Sequence, residues 1–256
     1  MSLSLSRRRF GILLPLGLSA LGIVLWWVYG FEPLNHLERP LADALNGLIG
    51  RSAGFDHTVV FFNNWWGEAL CVLLVFLTFC LTARWAIGRG IDWRRVAAFA
   101  GFIFVFWIVA NAIGDHILER FMPRDSPTYA MGEALIDLEE KRDVEVKTAS
   151  RTSFPSNHGT VFFTVFFFAL LRWGMRAWIL FPVCFVLSLP RCFTGAHWVS
   201  DTLIGSVLVT WSVAAIAMYT PLFRLSLRVE DIACHLLHSL ETDEDRAIRA
   251  KGHRGI

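Results

Sequence analysis

Two histidines, an aspartate and several arginines fall in three short blocks of this chain. The blocks run Arg151-Thr-Ser-Phe-Pro-Ser-Asn-His158, Arg191-Cys-Phe-Thr-Gly-Ala-His197-Trp-Val-Ser-Asp201 and Arg120-Phe-Met-Pro-Arg124-Asp-Ser-Pro127. His197 and Asp201 are four apart, so on a helix they share a face and can meet. A carboxylate bonded to one ring nitrogen fixes the tautomer and leaves the other nitrogen free as a nucleophile. It also stabilises the cationic phosphohistidine that attack on phosphorus would create. Arg124, Arg151 and Arg191 offer planar forks that match phosphate oxygens and can neutralise a transferring phosphoryl group. Ser156, Asn157 and His158 stand at a helix start, where free backbone amides favour anions. His158 is then placed to protonate the leaving oxygen.

Taken singly, each residue has an ordinary reading. An interfacial histidine is usually just solvated, and arginines near helix ends usually snorkel towards headgroups. Convergence separates this set from that background: two histidines, an aspartate and several arginines meet on one side of the chain's spans. Other polar residues keep the ordinary reading. Glu32, Glu68, Asp115 and His116 read as loop or interfacial groups, and His36, His57, His235 and His238 have no partner visible in sequence. Cys71, Cys80 and Cys184 lie inside apolar runs, while Cys192 and Cys234 fall on opposite sides of the membrane. Neither a disulfide nor a metal site is expected.

The elements that must position these blocks are membrane spans. Of 256 residues, 55% are hydrophobic and 18% charged, against about half and a quarter in a soluble domain. The surplus is gathered in uncharged runs near the ~20 residues that cross ~30 Å of hydrocarbon. Six spans are expected, at about 10–29, 69–87, 96–113, 158–171, 176–190 and 202–220, making an all-α integral membrane protein. The first follows Arg7, Arg8 and Arg9 but lacks a small-residue cleavage site, so it reads as a retained anchor. A net charge of +2, with no Lys/Arg run interleaved with aromatics, excludes a nucleic-acid surface.

Arginine placement sets the orientation. Arg7 to Arg9, then Arg84, Arg89, Arg94 and Arg95, then Arg172 and Arg176, and the tail from Arg224 mark the cytoplasmic ends. Loops 30–68 and 114–157 and the turn 191–201 lie opposite, and all three chemical blocks lie there with them. Nine of the eleven tryptophans, including Trp65, Trp66, Trp85, Trp93 and Trp198, fall near predicted span ends. Ionisable residues gathered at one boundary, rather than in mid-membrane, argue against a channel or transporter. Residues 40–49, opened by Pro40 with Leu41, Leu45, Leu48 and Ile49 on one face, and residues 222–240 suit interfacial helices. The whole of 1–256 reads as one membrane-embedded domain, with 221–256 as a cytoplasmic amphipathic and charged tail.

Pro155-Ser156-x-His158 and Arg191-x5-His197-x3-Asp201 resemble the second and third signature motifs of the type 2 phosphatidic acid phosphatase superfamily. The resemblance implies a six-helix lipid phosphatase or phosphotransferase that uses no cofactor or metal. It implies His197 as nucleophile, Asp201 as its orienter, His158 as general acid, and Arg191 and Ser156 as phosphate binders. Three positions depart from the pattern. Asn157 replaces the usual glycine and Pro190 the usual serine, and the first motif, Lys-x6-Arg-Pro, is degraded. Arg124 fits its arginine, Ile117 stands in place of its lysine, and Arg120 is a candidate for the lysine's role. The blocks Arg124-Asp-Ser-Pro-Thr128, Ala149 to Pro155 and Gly195-Ala-His-Trp198 resemble one branch of the superfamily most closely. That branch moves the terminal phosphate of undecaprenyl diphosphate onto lipid A at the periplasmic face of a bacterial inner membrane. A hydrolase acting on undecaprenyl diphosphate or a phospholipid phosphate is the alternative, because both share the first half-reaction.

Overall fold

The computed structural model describes residues 5–138, 140, 146–224, 227–228 and 231–232, with side chains from Gly11 onward. Most of the predicted interfacial segment 222–240, and all of the tail beyond it, lie outside the described residues. Every regular element among the described residues is helical.

α1 (Leu5–Tyr29) is followed by α2 (Glu32–Asn46) and α3 (Ala53–Phe62). α4 (Trp65–Ile87) comes next, then α5 (Trp93–Ile113), which a π turn at Gly114–Leu118 continues into α6 (Glu119–Phe121). After α7 (Pro127–Met131) come α8 (Asn157–Trp173), α9 (Leu180–Ser188) and α10 (Pro190–Phe193); a second π turn at Asp201–Ser206 leads into α11 (Val207–Tyr219). Among the described residues, five stretches are long and apolar enough to cross a membrane: Gly11–Tyr29, Trp65–Ile87, Trp93–Phe121, Asn157–Phe193 and Asp201–Tyr219.

The difference from the expected six lies in the fourth stretch, which holds both short runs predicted at 158–171 and 176–190. α8 stops at Gly174, whose φ of +68° suits glycine, and a 3₁₀ turn (Gly174–Ile179) leads into α9. The Cys184 thiol donates to the Phe162 carbonyl at 3.3 Å, so α9 runs back along α8. The hairpin returns Arg191 to the end of the bundle where His158 begins.

α8 sits at the centre, packed by α4, α5, α9 and α11. Its phenylalanines join a continuous aromatic core, in which Phe168 meets Phe99, Phe102 and Phe106 edge-on or tilted. Buried hydroxyls on these helices bond back one turn, Thr160 to Ser156, Thr164 to Thr160 and Thr210 to Ser206. Each of these three hydroxyls thereby has a partner inside its own helix. Leu73 and Leu77 on α4 and Val105 and Ile108 on α5 face outward, as lipid contact requires. Trp65 and Trp66 are exposed at one end of the bundle and Trp85, Trp93 and Trp178 at the other, the positions of interfacial belts. Trp198 departs from that expectation, since it is 1% exposed and packed inside the site.

α2 also differs in its bounds from the helix expected at 40–49. It starts at Glu32, with Pro33 in its first turn and Pro40 inside it, and its buried face is Asn35, Glu38, Ala42 and Asn46. Leu37 and Leu41 face outward. The polar side turns inward because it has partners there. Asn46 donates to the Ile136 and Phe193 carbonyls and accepts from the Ile136 amide.

Candidate active site

His197 follows the short helix α10 on a turn closed by the Arg191 carbonyl, which accepts from the Ala196 and His197 amides. Gly195 allows this turn with a φ of +77°, and a Cβ there would fall 2.4 Å from the Thr128 hydroxyl. The His197 ring is 5% exposed. Its Nδ1 donates to the Ser153 carbonyl at 2.7 Å, while the Asp201 carboxylate stands 3.6 Å from the same nitrogen. The tautomer is therefore held chiefly by a backbone carbonyl, with Asp201 adding charge rather than a close hydrogen bond. Nε2 is left with its lone pair.

Asp201 is fully buried. One carboxylate oxygen accepts from the Trp198 amide at 2.9 Å and the other from Arg124 at 2.5 Å. Arg124 was expected to face phosphate. Its guanidinium is instead enclosed, with all five N–H groups given to Asn35, Glu38, Ser200 and Asp201. Phe31 and Trp198 lie over its charge at 4.9 and 5.1 Å. Glu38 closes the network by accepting from the Ser200 hydroxyl and amide. No donor of Arg124 remains for a ligand, so its geometry is that of a brace for Asp201.

Ser156 is also fully buried. It caps α8 by accepting from the Gly159 amide at 3.4 Å, and its carbonyl accepts from the Ser206 hydroxyl. Ser206 packs against Gly159, where a Cβ would come within 2.6 Å of its hydroxyl. That close approach joins the His158 helix to the π turn that begins at Asp201. Asn157 and His158 are half-buried in the first turn of α8. Arg151 is exposed, over the Tyr129 ring at 5.0 Å, and Arg120 is exposed at the end of α6. Of the predicted phosphate binders, Arg191 alone enters the cluster with donors to spare. It is 8% exposed, Nη2 donates to Glu68 at 2.6 Å, and Nε and Nη1 are buried without a hydrogen-bond partner. His158 lies within electrostatic reach of both His197 and Arg191.

Glu68, read from sequence as an ordinary interfacial group, holds both Arg191 and His158; its Oε1 lies 3.2 Å from His158 Nε2. Sequence reading also missed Glu38, Asn35 and the Ser153 carbonyl. The available signal was two polar residues three apart, Asn35 and Glu38, on one face of a helix that meets lipid. Lys147 is a further addition. Its carbonyl accepts from Thr194. Desolvation first and the Arg191 charge second lower the ammonium's pKa, against the pull of Glu119 and Asp115. Among the described residues no three His, Cys, Asp or Glu side chains converge as a metal-ligand set.

An apolar groove of about 250 Å³ descends from this cluster between α4, α5 and α8. Val72 and Phe76, Ile103 and Trp107, and Val161 and Val165 line it. Val72 stands four residues after Glu68 and Val161 three after His158, so the groove starts one turn below both.

The chain is 27% identical over 216 residues to the lipid A 1-diphosphate synthase of Escherichia coli (strain K12), covering 81% of this chain and 86% of that protein. No solved structure matches it. The family model described as the PAP2 superfamily matches residues 100–225, a segment that holds all three chemical blocks, and the resemblance carried by the two histidine motifs is to that superfamily.

Proposed function

We propose that the chain is a phosphotransferase that moves the terminal phosphate of undecaprenyl diphosphate to the 1-phosphate of lipid A. The observation that carries this reading is the His197 ring, tied through Nδ1 to a carbonyl with a buried carboxylate behind it. A ring so held is a nitrogen nucleophile aimed through Nε2. Nε2 attacks the terminal phosphorus, the bridging P–O bond breaks, and undecaprenyl phosphate leaves with a proton from His158. An oxygen of the lipid A 1-phosphate then attacks the phosphohistidine, with His158 acting as base, and His197 is restored. Arg191, with two unpartnered donors, meets the charge of the transferring group. Arginine thus supplies the charge a metal would otherwise bring, and the reaction runs without one. The apolar groove suits the first isoprene units of the donor.

The arginine-rich ends oppose the site, so the reading places the active site at the periplasmic face of the inner membrane. Purified protein incubated with labelled undecaprenyl diphosphate and lipid A should move label onto lipid A. Label found only as free phosphate would replace the transferase reading with a lipid phosphatase.

A further inference from the structure

We propose that Glu68 is a positioning residue of this reaction, setting His158 and Arg191 together through one carboxylate oxygen. The inference rests on the assignment of His158 as the acid–base group.

Glu68 stands in the first turn of α4, which Asn64 caps by accepting from the Gly67 amide at 3.1 Å. A carboxylate there is favoured by the helix dipole. Oε1 takes Arg191 Nη2 at 2.6 Å and faces His158 Nε2 at 3.2 Å. Each contact has a consequence at the partner's far side. With Nη2 held, the guanidinium plane is fixed, and the buried, unpartnered Nε and Nη1 are left to receive phosphate oxygens. With Nε2–H given to Glu68, Nδ1 of His158 is the ring nitrogen left to exchange a proton with substrate. The two histidines thus have parallel supports. His197 is held through Nδ1 and acts through Nε2, and His158 is held through Nε2 and acts through Nδ1.

The fold does not depend on this carboxylate. The Glu68 side chain is 39% exposed and would be hydrated without its partners. The contacts serve the site, which ties α4, outside the segment that carries the histidine motifs, to the chemistry.

The test is a double-mutant cycle in the full-length protein, with kcat and donor KM measured for Glu68→Gln, His158→Ala and the pair. Glutamine keeps the shape and loses the charge. Glu68→Gln should lower kcat about 10–100-fold, the usual effect of removing an orienting partner. Because Glu68 acts through both His158 and Arg191, the double variant should fall below His158→Ala but lose less than the product of the two single losses. Multiplicative losses in the double variant would overturn the proposal and leave the His158 role intact. Wild-type kcat in His158→Ala would instead remove the acid–base assignment itself. A fall in donor KM with unchanged kcat in Glu68→Gln would also overturn it, since the carboxylate would then only compete with phosphate.

Discussion

Arg124→Gln separates a brace from a phosphate binder. In the folded protein this guanidinium is the shared cation for Glu38 at 2.9 Å and Asp201 at 2.5 Å, with side-chain exposures of 10% and 0%. Removing one partner of a buried pair costs about 3–5 kcal/mol, because the other charge stays buried. For a chain of this size each kcal/mol moves the melting midpoint about 2–4 °C, so Arg124→Gln should melt roughly 6–20 °C below wild type. Adding Glu38→Gln removes one of the two stranded carboxylates and should recover a substantial part of that loss. The assay is thermal unfolding in detergent, followed by tryptophan fluorescence, with donor KM measured below the transition. Activity in Arg124→Gln should fall through kcat, as Asp201 loses its anchor. A variant that melts with wild type but shows a raised donor KM, unrelieved by Glu38→Gln, would refute the brace and return Arg124 to the phosphate.

Four other outcomes follow. His197→Ala should abolish acid-labile, base-stable label on the protein after brief exposure to labelled donor. His158→Ala should keep more activity on a diphosphate donor than on a monophosphate ester, because a phosphate leaving group needs its proton less than an alkoxide does; label on His197→Ala but none on His158→Ala would reverse the two roles. Incubation with EDTA should leave turnover unchanged, and a loss restored by one divalent ion would remove the metal-free mechanism. A reporter fused after Ile256 should behave as cytoplasmic, and periplasmic behaviour would move the active site to the other face.

What could be read from sequence depended on whether a partner lay within one helical turn. His197 and Asp201 are four apart and do stand together, 3.6 Å between ring nitrogen and carboxylate. The closer partner of that nitrogen is a main-chain carbonyl 44 residues away, and a carbonyl carries no residue identity to search for. Arg124 was found by its fit to a motif and misjudged in its direction, since its partners Asn35 and Glu38 lie 89 and 86 residues earlier. Glu68 was passed over for the same reason, 123 residues from Arg191. The reading of α2 missed its polar face. Leu41, Leu45, Leu48 and Ile49 mark the apolar face of the interfacial helix expected at 40–49, and Leu41 does face outward while Ile49 is buried. In lipid an exposed leucine carries no cost and an unpaired glutamate does. The polar positions of such a helix are the ones that point to the protein, and Asn35, Glu38 and Asn46 all do.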